Sequence, residues 1–431
     1  MKTGFVLSSS SSNLKPFKNQ PLGSLQLMTV LDEEFGSDIE QSLIDLRAVD
    51  PANAIFHIPE KDVYFYSVTS PDYPEIKEIV RNIRERYPKA VHVAGGPHVE
   101  IFKDVPEFDA LSFGDGEENI KEIVRDTRNS RLKKVYRQKT KLDLKDYPFP
   151  SRKYMPHSAV AQTGVLNQKH EDVLGTDVLF SRGCPFACHF CANLTQGKTN
   201  FRSPEAIYEE IMYLKREYGV QGLAIKDDQS IPVGRDIARP TLEAIAKAGV
   251  LWRGQSRANG VHPDMVKLAK ESGCIEIAVG IESLSQEVLN AINKKIDYSR
   301  AIDYLSQLRK SGVDRKLLLI LGLPGEKKDI ADRTIQFIQE TEPTNVLLSL
   351  LCPMPGSEIY HNPRNFGINM DYSVPFDKYR TTFGRFDEKE KPRLIFHYDP
   401  VTPFGKSLSN EEIIENYTRV QAFLRDNHIN C

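Results

Sequence analysis

In residues 1–140, short apolar runs alternate with longer stretches in which apolar residues recur every three to four positions. The short runs are typical of buried strands, and the longer spacing is typical of amphipathic helices. The predicted strands are Phe5–Leu7, Ser42–Val49, Asp62–Val68, Ala90–Ala94 and Phe108–Phe113. The predicted helices are Pro21–Phe35, Pro74–Tyr87 and Glu118–Asp126. This alternation predicts an α/β fold with a doubly wound, Rossmann-like parallel sheet.

A second alternating series follows a stretch rich in charges and prolines, which is predicted to be a linker over 141–172. Its predicted strands are Asp177–Ser181, Gly222–Ile225, Leu251–Gln255, Ile275–Val279, Leu317–Leu321 and Val346–Leu351. Six strand-then-helix units without doubling back predict a partial (β/α)6 barrel of the TIM type over 173–360. Residues 361–431 end in a predicted helix at Glu411–Arg425, which we expect to cap the barrel.

Charge and hydropathy exclude several classes of protein. The chain of 431 residues carries 57 Lys and Arg against 59 Asp and Glu, a formal charge of −2. This balance argues against a broadly basic nucleic-acid binder. No apolar run approaches the roughly 20 residues that span a bilayer, and the N-terminal run Gly4–Leu7 is too short for a signal peptide. We therefore expect a cytoplasmic protein without a membrane span.

Three of the six cysteines fall close together, in the segment CPFACHFC. They are Cys184, Cys188 and Cys191, whereas Cys274, Cys352 and Cys431 are isolated. A disulfide framework is not expected in a long cytoplasmic chain, so the cluster indicates a metal site.

Two kinds of metal site are compatible with this spacing. Structural zinc takes four ligands, and His189 is a candidate fourth. Three thiolates in one loop also suit a cubane iron–sulfur cluster that leaves one iron open to a small molecule. The loop directly follows the first predicted barrel strand, at the end where barrel chemistry is found, and this position favours the cluster.

Glycine pairs end two of the N-terminal strands. Gly95 and Gly96 follow one strand, and Gly114 and Gly116 follow the next. Ligands of doubly wound sheets bind at such carboxyl ends, where glycine lets the backbone approach a ligand closely. Ordinary strand-to-helix turns explain the same glycines.

Taken in order, these segments resemble a known family, the radical S-adenosylmethionine enzymes. CPFACHFC is similar to their CxxxCxΦC signature, in which Phe190 is the aromatic residue before the last cysteine. Five further segments are similar to motifs of the later barrel strands: IKDDQS (Ile225–Ser230), SRANG (Ser256–Gly260), GIES (Gly280–Ser283), LGLPGE (Leu321–Glu326) and CPMPGSEIY (Cys352–Tyr360).

The N-terminal half resembles the cobalamin-binding domain of one subgroup of that family. The matching segments are SVTSPDYPEI (Ser67–Ile76), GGPHVE (Gly95–Glu100) and GDGEENI (Gly114–Ile120), followed by the linker-like LKDYPFPSR (Leu144–Arg152). The DxHxxG motif that supplies an axial histidine is missing, so histidine ligation of cobalt is not expected. GDGE replaces the commoner GEGE.

The resemblance implies that Cys184, Cys188 and Cys191 ligate a [4Fe–4S] cluster that binds S-adenosylmethionine. The residues implied for the S-adenosylmethionine site are Phe190, Asp227, Asp228, Arg257, Glu282, Ser283, Gly322, Pro324 and Cys352. Those implied for cobalamin are Ser67, Thr69, Ser70, Gly95, Gly96, His98, Gly114, Gly116 and Glu117. Glu282 would bind the ribose hydroxyls and Arg257 the methionine carboxylate. A helix-start role for Glu282 and a structural ion pair for Arg257 are the competing explanations.

In function, the resemblance implies a cobalamin-dependent methyltransferase that acts on an unactivated carbon or a phosphinate phosphorus. One S-adenosylmethionine would methylate cobalamin and a second would give the 5′-deoxyadenosyl radical. A radical cyclase or rearrangement enzyme with an auxiliary or vestigial cobalamin domain is the alternative, and a zinc-holding binding module is a remote one. The implied electron donor is a ferredoxin or flavodoxin, and the substrate is not predicted.

Overall fold

A computed structural model describes residues 1–9, 17, 19–138, 142–258, 261–383 and 392–429. The chain forms two compact units. Unit 1 comprises Met1–Val160 and Pro375–Arg380, and unit 2 comprises Ala161–Val374 and Thr381–Cys431. Across the described ranges, none of the helices combines enough length with enough apolar character to cross a bilayer.

Unit 1 is built on a six-stranded sheet in which every neighbouring pair of strands is parallel. Its strands are β1 (Lys2–Leu7), β2 (Glu40–Asp45), β3 (Val63–Ser67), β4 (Val91–Gly95), β5 (Ala110–Phe113) and β6 (Val135–Arg137). They stand in the order β2-β1-β3-β4-β5-β6. The order reverses between β1 and β3, and such a switch point is where ligands bind in open α/β sheets. The expected Rossmann-like architecture is confirmed.

The helices of unit 1 are α1 (Leu22–Phe35), α2 (Tyr73–Arg86), α3 (Pro97–Phe102), α4 (Gly116–Arg128) and α5 (His157–Val160). Three of them, α1, α2 and α4, lie where they were predicted, and α3 and α5 are additional. On α2, the apolar positions that set the helical period are buried: Ile76, Ile79, Val80 and Ile83. Each such side chain stabilises the fold by about 1.5–3 kcal/mol when fully buried, so this face fixes α2 on the sheet.

The first half of the proline-rich segment packs on α1. The backbone N–H of Ser151 donates to Thr29 Oγ1 at 2.8 Å, and Gln26 Nε2 donates to the carbonyl of Pro148 at 2.8 Å. Arg152 is fully buried, and its Nε donates to Gln20 Oε1 at 3.2 Å. These contacts make the segment an ordered part of unit 1.

Unit 1 is completed by Pro375–Arg380, a segment that follows the barrel in the chain. The Phe376 ring lies 5.3 Å from the ring of Phe102 and 5.8 Å from that of His98, measured between centroids. Tyr379 is fully buried. The late segment therefore packs against α3.

The strands of unit 2 form the predicted barrel. The first strand, β7 (Gly175–Val178), is followed by an antiparallel ribbon of β8 (Ser181–Arg182) and β9 (Asn200–Phe201). The other sheet strands are β10 (Gly222–Ile225), β11 (Leu251–Arg257), β12 (Cys274–Glu282), β13 (Asp314–Leu321) and β14 (Asn345–Leu350). All neighbours are parallel and stand in chain order from β7 to β14. This is the partial barrel that the six strand–helix units predict.

Helices connect the barrel strands. They are α6 (Pro204–Tyr218), α7 (Arg235–Ala248), α8 (Pro263–Glu271), α9 (Gln286–Ala291), α10 (Tyr298–Lys310) and α11 (Ile330–Thr341). On α6 the N-cap is Ser203, whose Oγ accepts a hydrogen bond from the backbone of Ala206 at 3.1 Å. Pro204 occupies the first helical position, as its fixed φ and missing N–H favour.

The C-terminal part of unit 2 covers one end of the barrel sheet. Its elements are α12 (Glu358–His361), β15 (Ile368–Met370), β16 (Phe396–Tyr398), β17 (Val401–Thr402), β18 (Gly405–Lys406) and α13 (Asn410–Asp426). A Cβ added to Gly322, after β13, would lie 3.1 Å from Ile413 of α13. The predicted helical cap is confirmed.

Most predicted strands differ from the structure by a few residues at their ends, and two differ in a way that has a local cause. The Ser42–Val49 strand is shorter, since β2 ends at Asp45 and a turn follows in which Ala48 has a φ of 61°. Asp177–Ser181 is divided between β7 and β8 because the backbone N–H of Phe180 leaves the sheet and donates to the side chain of Asp227. Asn259 and Gly260 of the SRANG segment, and Cys431, lie outside the described residues.

Candidate active site

The carboxyl ends of the unit 2 strands form one continuous rim, because the strands stand side by side in chain order. The residues expected to bind S-adenosylmethionine lie at successive positions along this rim. Asp227 and Asp228 follow β10, Arg257 ends β11, Glu282 ends β12 with Ser283 after it, Gly322 and Pro324 follow β13, and Cys352 follows β14. The three clustered cysteines lie between β8 and β9, beyond the end of β7.

The cysteine loop is held by the turn that follows α9. The backbone N–H of His189 donates to the carbonyl of Ile292 at 2.9 Å, and its ring Nδ1 lies 3.1 Å from the carbonyl of Ala291. Asn293 Nδ2 donates to the carbonyl of Ala187 at 2.7 Å. His189 therefore anchors the loop. The contact engages Nδ1, one of the two ring nitrogens through which this histidine could bind zinc.

The donor set of this loop fits a cubane cluster. Cys188 is buried, and Cys184 and Cys191 are half-buried. Burial raises the pKa of Cys191 to about 11 and that of Cys184 above its usual range, so metal binding must release protons. Within the described residues, no three His, Cys, Asp or Glu side chains are grouped so as to hold a single metal ion. A cubane instead takes its thiolates at separate corners.

Arg257 is buried beside the cysteine loop. Its Nη1 donates to Cys188 Sγ at 3.1 Å, and its guanidinium lies 3.8 Å from the centroid of the Phe186 ring. Its backbone N–H donates to Gln229 Oε1 at 2.9 Å. The guanidinium thus contacts the cysteine loop through Cys188 and Phe186, and Gln229 holds the backbone of the same residue.

The two aspartates after β10 point in different directions, as adjacent side chains of an extended segment do. Asp227 is buried and accepts hydrogen bonds from the backbone of Phe180 at 2.8 Å and from Ser181 Oγ at 2.6 Å. Burial raises its pKa to about 7. Asp228 accepts from Asn193 Nδ2 at 2.6 Å, and burial raises its pKa as well. Of the pair, Asp228 faces the cysteine loop.

Glu282 is held in an unusual backbone conformation at the end of β12. Its φ is 68°, in the left-handed region, and the register with β13 shifts between Gly280 and Glu282. The residue is only 8% exposed, and Oε1 accepts a hydrogen bond from Lys294 Nζ at 2.7 Å. The next residue, Ser283, is buried, and its Oγ accepts from the backbone of Ser285 at 3.3 Å.

The loops after β13 and β14 are buried. The N–H of Gly322 donates to Glu326 Oε2 at 2.7 Å, and its carbonyl accepts from the hydroxyl of Tyr398 at 2.8 Å. Burial raises the pKa of Glu326 to about 8. Pro324 is buried in the same loop, and Cys352 Sγ lies 3.7 Å from Met354 Sδ. These residues shape the rim around the more polar strand ends.

In unit 1, all the residues expected to bind cobalamin lie at or just after the carboxyl ends of β3, β4 and β5, which are neighbours in the sheet. Gly96 has a φ of 93°, and a Cβ there would lie 2.9 Å from the backbone nitrogen of Val68 and 3.2 Å from Ser67 Oγ. The backbone N–H of Val68 donates to the carbonyl of Gly95 at 2.8 Å. The backbones of the loops after β3 and β4 are therefore in close contact.

Several of these residues already have partners inside unit 1. His98 is 2% exposed, its ring stacks on Tyr73 at 4.1 Å between centroids, and its Nδ1 lies 3.1 Å from Ser70 Oγ. Burial lowers the pKa of His98 to about 4, so the imidazole is neutral at pH 7. The Thr69 hydroxyl donates to the carboxylate of Asp72. His98, Ser70 and Thr69 therefore shape the carboxyl ends of the strands through contacts with other residues of unit 1.

The loop after β5 begins a helix. The N–H of Gly114, whose φ is 81°, donates to the carboxylate of Glu100. Gly116 is the first residue of α4, and a Cβ there would lie 3.1 Å from Leu27 Cδ2. Glu117 is buried. The glycines permit a tight turn and close packing against α1.

Sequence reasoning missed residues that the fold brings to the rim from elsewhere. Lys294 pairs with Glu282, Asn193 with Asp228, and Gln229 with Arg257. The chain shows two adjacent lysines, Lys294 and Lys295, and only the first is buried. No local pattern distinguishes them, since the difference depends on the strand end that the turn packs against.

Comparison with known proteins finds, for the barrel, similarity to the same family that the sequence motifs resemble. Residues 178–338 match the family model described as the radical SAM superfamily. An uncharacterized methyltransferase of Pyrococcus horikoshii is 28% identical over 372 residues, which cover 79% of this chain and 77% of that protein. An anaerobic magnesium-protoporphyrin IX monomethyl ester cyclase of Cereibacter sphaeroides is 24% identical over 341 residues, or 73% of this chain and 55% of that protein.

A solved structure shares the fold of almost the whole chain. It is the radical S-adenosylmethionine methyltransferase TsrM from Kitasatospora setae, with cobalamin and a [4Fe-4S] cluster bound. The TM-score is 0.69, and the match covers 98% of this chain and 88% of that one at 16% identity. The match thus extends over both units.

Proposed function

We propose that this chain, a member of the radical S-adenosylmethionine superfamily, is a cobalamin-dependent methyltransferase that acts on an unactivated carbon or a phosphinate phosphorus. One observation carries the proposal. A barrel rim gathers three cysteines with Asp228, Arg257 and Glu282, and the same chain contains a parallel sheet with glycine turns at neighbouring strand ends.

In this proposal Cys184, Cys188 and Cys191 hold a [4Fe–4S] cluster. When bound, the cluster supplies the electron that cleaves S-adenosylmethionine, and cobalamin carries the methyl group. A reductant of the ferredoxin or flavodoxin type is expected, in the cytoplasm. Gly95, Gly96, Gly114 and Gly116 are the places where unit 1 would admit the cobalamin tail.

The chain's own residues would bind and orient the sulfonium nucleoside. Glu282 is an acceptor for the ribose hydroxyls, because a carboxylate offers two oxygens and Lys294 engages one of them. Asp228 lies beside the cysteine loop, where it can accept from the amino group of the methionine moiety. Arg257 is a donor for the carboxylate of that moiety, within reach of Cys188. Arg257 and Glu282 are buried and Asp228 is half-buried, and this burial strengthens the contacts by excluding water.

A second candidate is a radical cyclase or rearrangement enzyme in which cobalamin has an auxiliary role. The observation that favours it is the similarity to the anaerobic cyclase of Cereibacter sphaeroides, whose name describes ring closure. A methylthiotransferase is disfavoured, because the chain has no second cysteine triad for another cluster.

The test is anaerobic purification after cobalamin-supplemented expression, followed by incubation with S-adenosylmethionine and a reductant. We expect about four irons and four sulfides per chain, bound corrin, and both 5′-deoxyadenosine and S-adenosylhomocysteine as products. Corrin-free protein that forms only 5′-deoxyadenosine would favour the cyclase. Zinc without sulfide would overturn both.

The matched variants replace buried and half-buried cysteines one at a time. Cys184→Ala, Cys188→Ala and Cys191→Ala should each abolish 5′-deoxyadenosine formation. Cys274→Ala, a buried cysteine in β12 outside the loop, should retain it. Cleavage that survives all three loop substitutions would contradict the cluster assignment.

A further inference from the structure

We propose that Lys294 is a positioning residue of the S-adenosyl nucleoside site, which acts by orienting the carboxylate of Glu282. The inference rests on the proposed function only in that the rim binds an S-adenosyl nucleoside. It does not depend on methyl transfer, cobalamin or the identity of the substrate.

The ion pair between these residues is buried. The side chains of Lys294 and Glu282 are 6% and 9% exposed, and Nζ lies 2.7 Å from Oε1. The same ammonium lies 5.6 Å from the centroid of the Phe190 ring, which precedes the last cysteine of the loop. A cation on an aromatic face is attracted by the ring quadrupole. Lys294 thus lies between the end of β12 and the cysteine loop.

The local backbone is shaped around this pair. A Cβ on Gly280 would lie 2.7 Å from Glu282 Oε1 and 3.0 Å from Lys294 Nζ, so a larger residue there would force the ion pair to shift. Glu282 itself has a φ of 68° at the register shift of β12. A non-glycine residue keeps such a conformation only where its surroundings fix it, and such positions cluster at ligand sites.

The turn that carries Lys294 also holds the cysteine loop. Ala291, Ile292 and Asn293 accept from or donate to that loop through His189 and Ala187. The following residue, Lys294, reaches Glu282. One short turn therefore sets the position of both the cluster ligands and the nucleoside acceptor.

Removing the ammonium should release Glu282. A buried carboxylate without its cation is costly, so the Glu282 side chain should move toward water. This movement removes the oriented acceptor from the ribose hydroxyls. Hydrogen bonds to a charged group are the strong ones in protein sites, so affinity for the nucleoside should fall about tenfold or more.

The experiment measures binding by calorimetry on the full-length, anaerobically reconstituted protein. Two probes are compared: S-adenosylhomocysteine, and 5′-methylthioadenosine, which lacks the amino acid portion. Lys294→Met should weaken both by about tenfold or more, and Lys294→Arg should restore part of each. Lys295→Met, the exposed neighbour, should bind both probes as the unmodified chain does.

A double-variant cycle shows whether Lys294 acts through Glu282. Lys294→Met should add little to the loss caused by Glu282→Gln, because both remove the same interaction. Additive losses would overturn the proposal. So would a Lys294→Met variant that loses S-adenosylhomocysteine but keeps 5′-methylthioadenosine, since that result means direct contact with the methionine carboxylate.

Three further outcomes decide between this inference, the proposed function and a purely structural role of Lys294. If Lys294→Met unfolds, Lys294→Gln takes its place. Weaker binding of both probes by Lys294→Gln, restored in part by Lys294→Arg, supports a role of the cation in orienting Glu282, and unchanged affinity in folded Lys294→Gln overturns it. An unmodified chain that binds both probes but transfers no methyl group contradicts the proposed function and leaves the role of Lys294 standing. Unchanged affinity in folded Lys294→Met overturns that role.

Discussion

At the scale of single residues, the rim of unit 2 combines close approach with backbone strain. Glu282 has a left-handed φ, which costs a non-glycine residue of order 1–3 kcal/mol. Gly280 leaves the space in which the carboxylate meets Lys294. The left-handed φ of Glu282 and the absence of a side chain at Gly280 both allow one buried ion pair to form. Substitution of either residue should therefore disturb that pair.

Gly280→Ala should lower the free energy of unfolding by about 1–3 kcal/mol, because the added methyl group overlaps Glu282 Oε1 at 2.7 Å. Urea denaturation measures the loss. Gly23→Ala is the control, since Gly23 lies in α1 and a Cβ there meets nothing within 4 Å. A Gly280→Ala variant as stable as the control would contradict the close packing described.

Arg257→Leu should lower the reduction potential of the reconstituted cluster. Its Nη1 donates to Cys188 Sγ at 3.1 Å, and hydrogen bonds and positive charge near the ligand sulfurs favour the reduced state. A redox titration followed by electron paramagnetic resonance measures the shift. If the potential of Arg257→Leu equals that of the unmodified protein, the guanidinium does not contact the ligand sulfur in the loaded site.

At the scale of elements, the sequence pattern located every strand of the two six-stranded sheets except β6, and the helices α1, α2, α4 and α13. The α2 face and the Ser203–Pro204 start of α6 were predictable because local spacing and capping chemistry determine them. The boundary between β7 and β8 was not, because it depends on a hydrogen bond from Phe180 to Asp227, 47 positions away in sequence.

The residues of the candidate site also fall into two classes, those that the sequence predicts and those that it does not. The cysteines and the strand-end motifs are visible in the chain because their residue types and spacing are distinctive. Lys294 is one of two adjacent lysines, and its burial depends on where the α9 turn meets the end of β12. Tertiary contacts of this kind leave no local signature.

The capping box at the start of α13 gives a prediction at this scale. Ser409 Oγ accepts from the backbone of Glu412 at 3.3 Å, and Glu412 Oε2 accepts from the backbone of Ser409 at 2.9 Å. Ser409→Ala should destabilise the helix start by about 1 kcal/mol. Hydrogen exchange of the first α13 amides should speed up accordingly. Thr418→Ala, at an exposed α13 position, is the control and should leave those amides unchanged.

At the scale of the whole molecule, the two units should respond to acid in opposite directions. Burial lowers the pKa of His92 and His98 in unit 1 to about 4, below the usual 6.5. Between these values the unfolded chain binds more protons, so unit 1 loses stability as the pH falls. Burial raises the pKa of Asp227 in unit 2 to about 7, from 3.8. There the folded chain binds more protons, so this group adds stability as the pH falls.

Hydrogen exchange, corrected for its intrinsic pH dependence, can compare the units between pH 7 and pH 5. We expect β4 amides to lose protection relative to β10 amides, by of order 1 kcal/mol or more. Equal changes in both strands would show that these buried groups do not titrate as described. A His98→Phe variant should reduce the change in β4, because it removes one of the two titrating rings.

Ligand binding gives a further prediction for the two units. Cobalamin should slow hydrogen exchange in the loops after β3, β4 and β5, and S-adenosylhomocysteine should slow it in the cysteine loop and at the end of β12. Protection by cobalamin confined to unit 2 would contradict the assignment of the unit 1 glycines. The two ligands can be added separately, so each site is tested alone.

The return of Pro375–Arg380 to unit 1 has a consequence for how this protein is made and rearranged. A ribosome must translate the entire barrel before Phe376 is available to pack against α3. Residues 1–160 therefore do not contain the whole of unit 1. A gene fusion that moved only residues 1–160 to another barrel would lack Pro375–Arg380, which packs against α3. Nascent chains halted before residue 375 would expose the rings of His98 and Phe102 that Phe376 contacts, and chaperones could bind there.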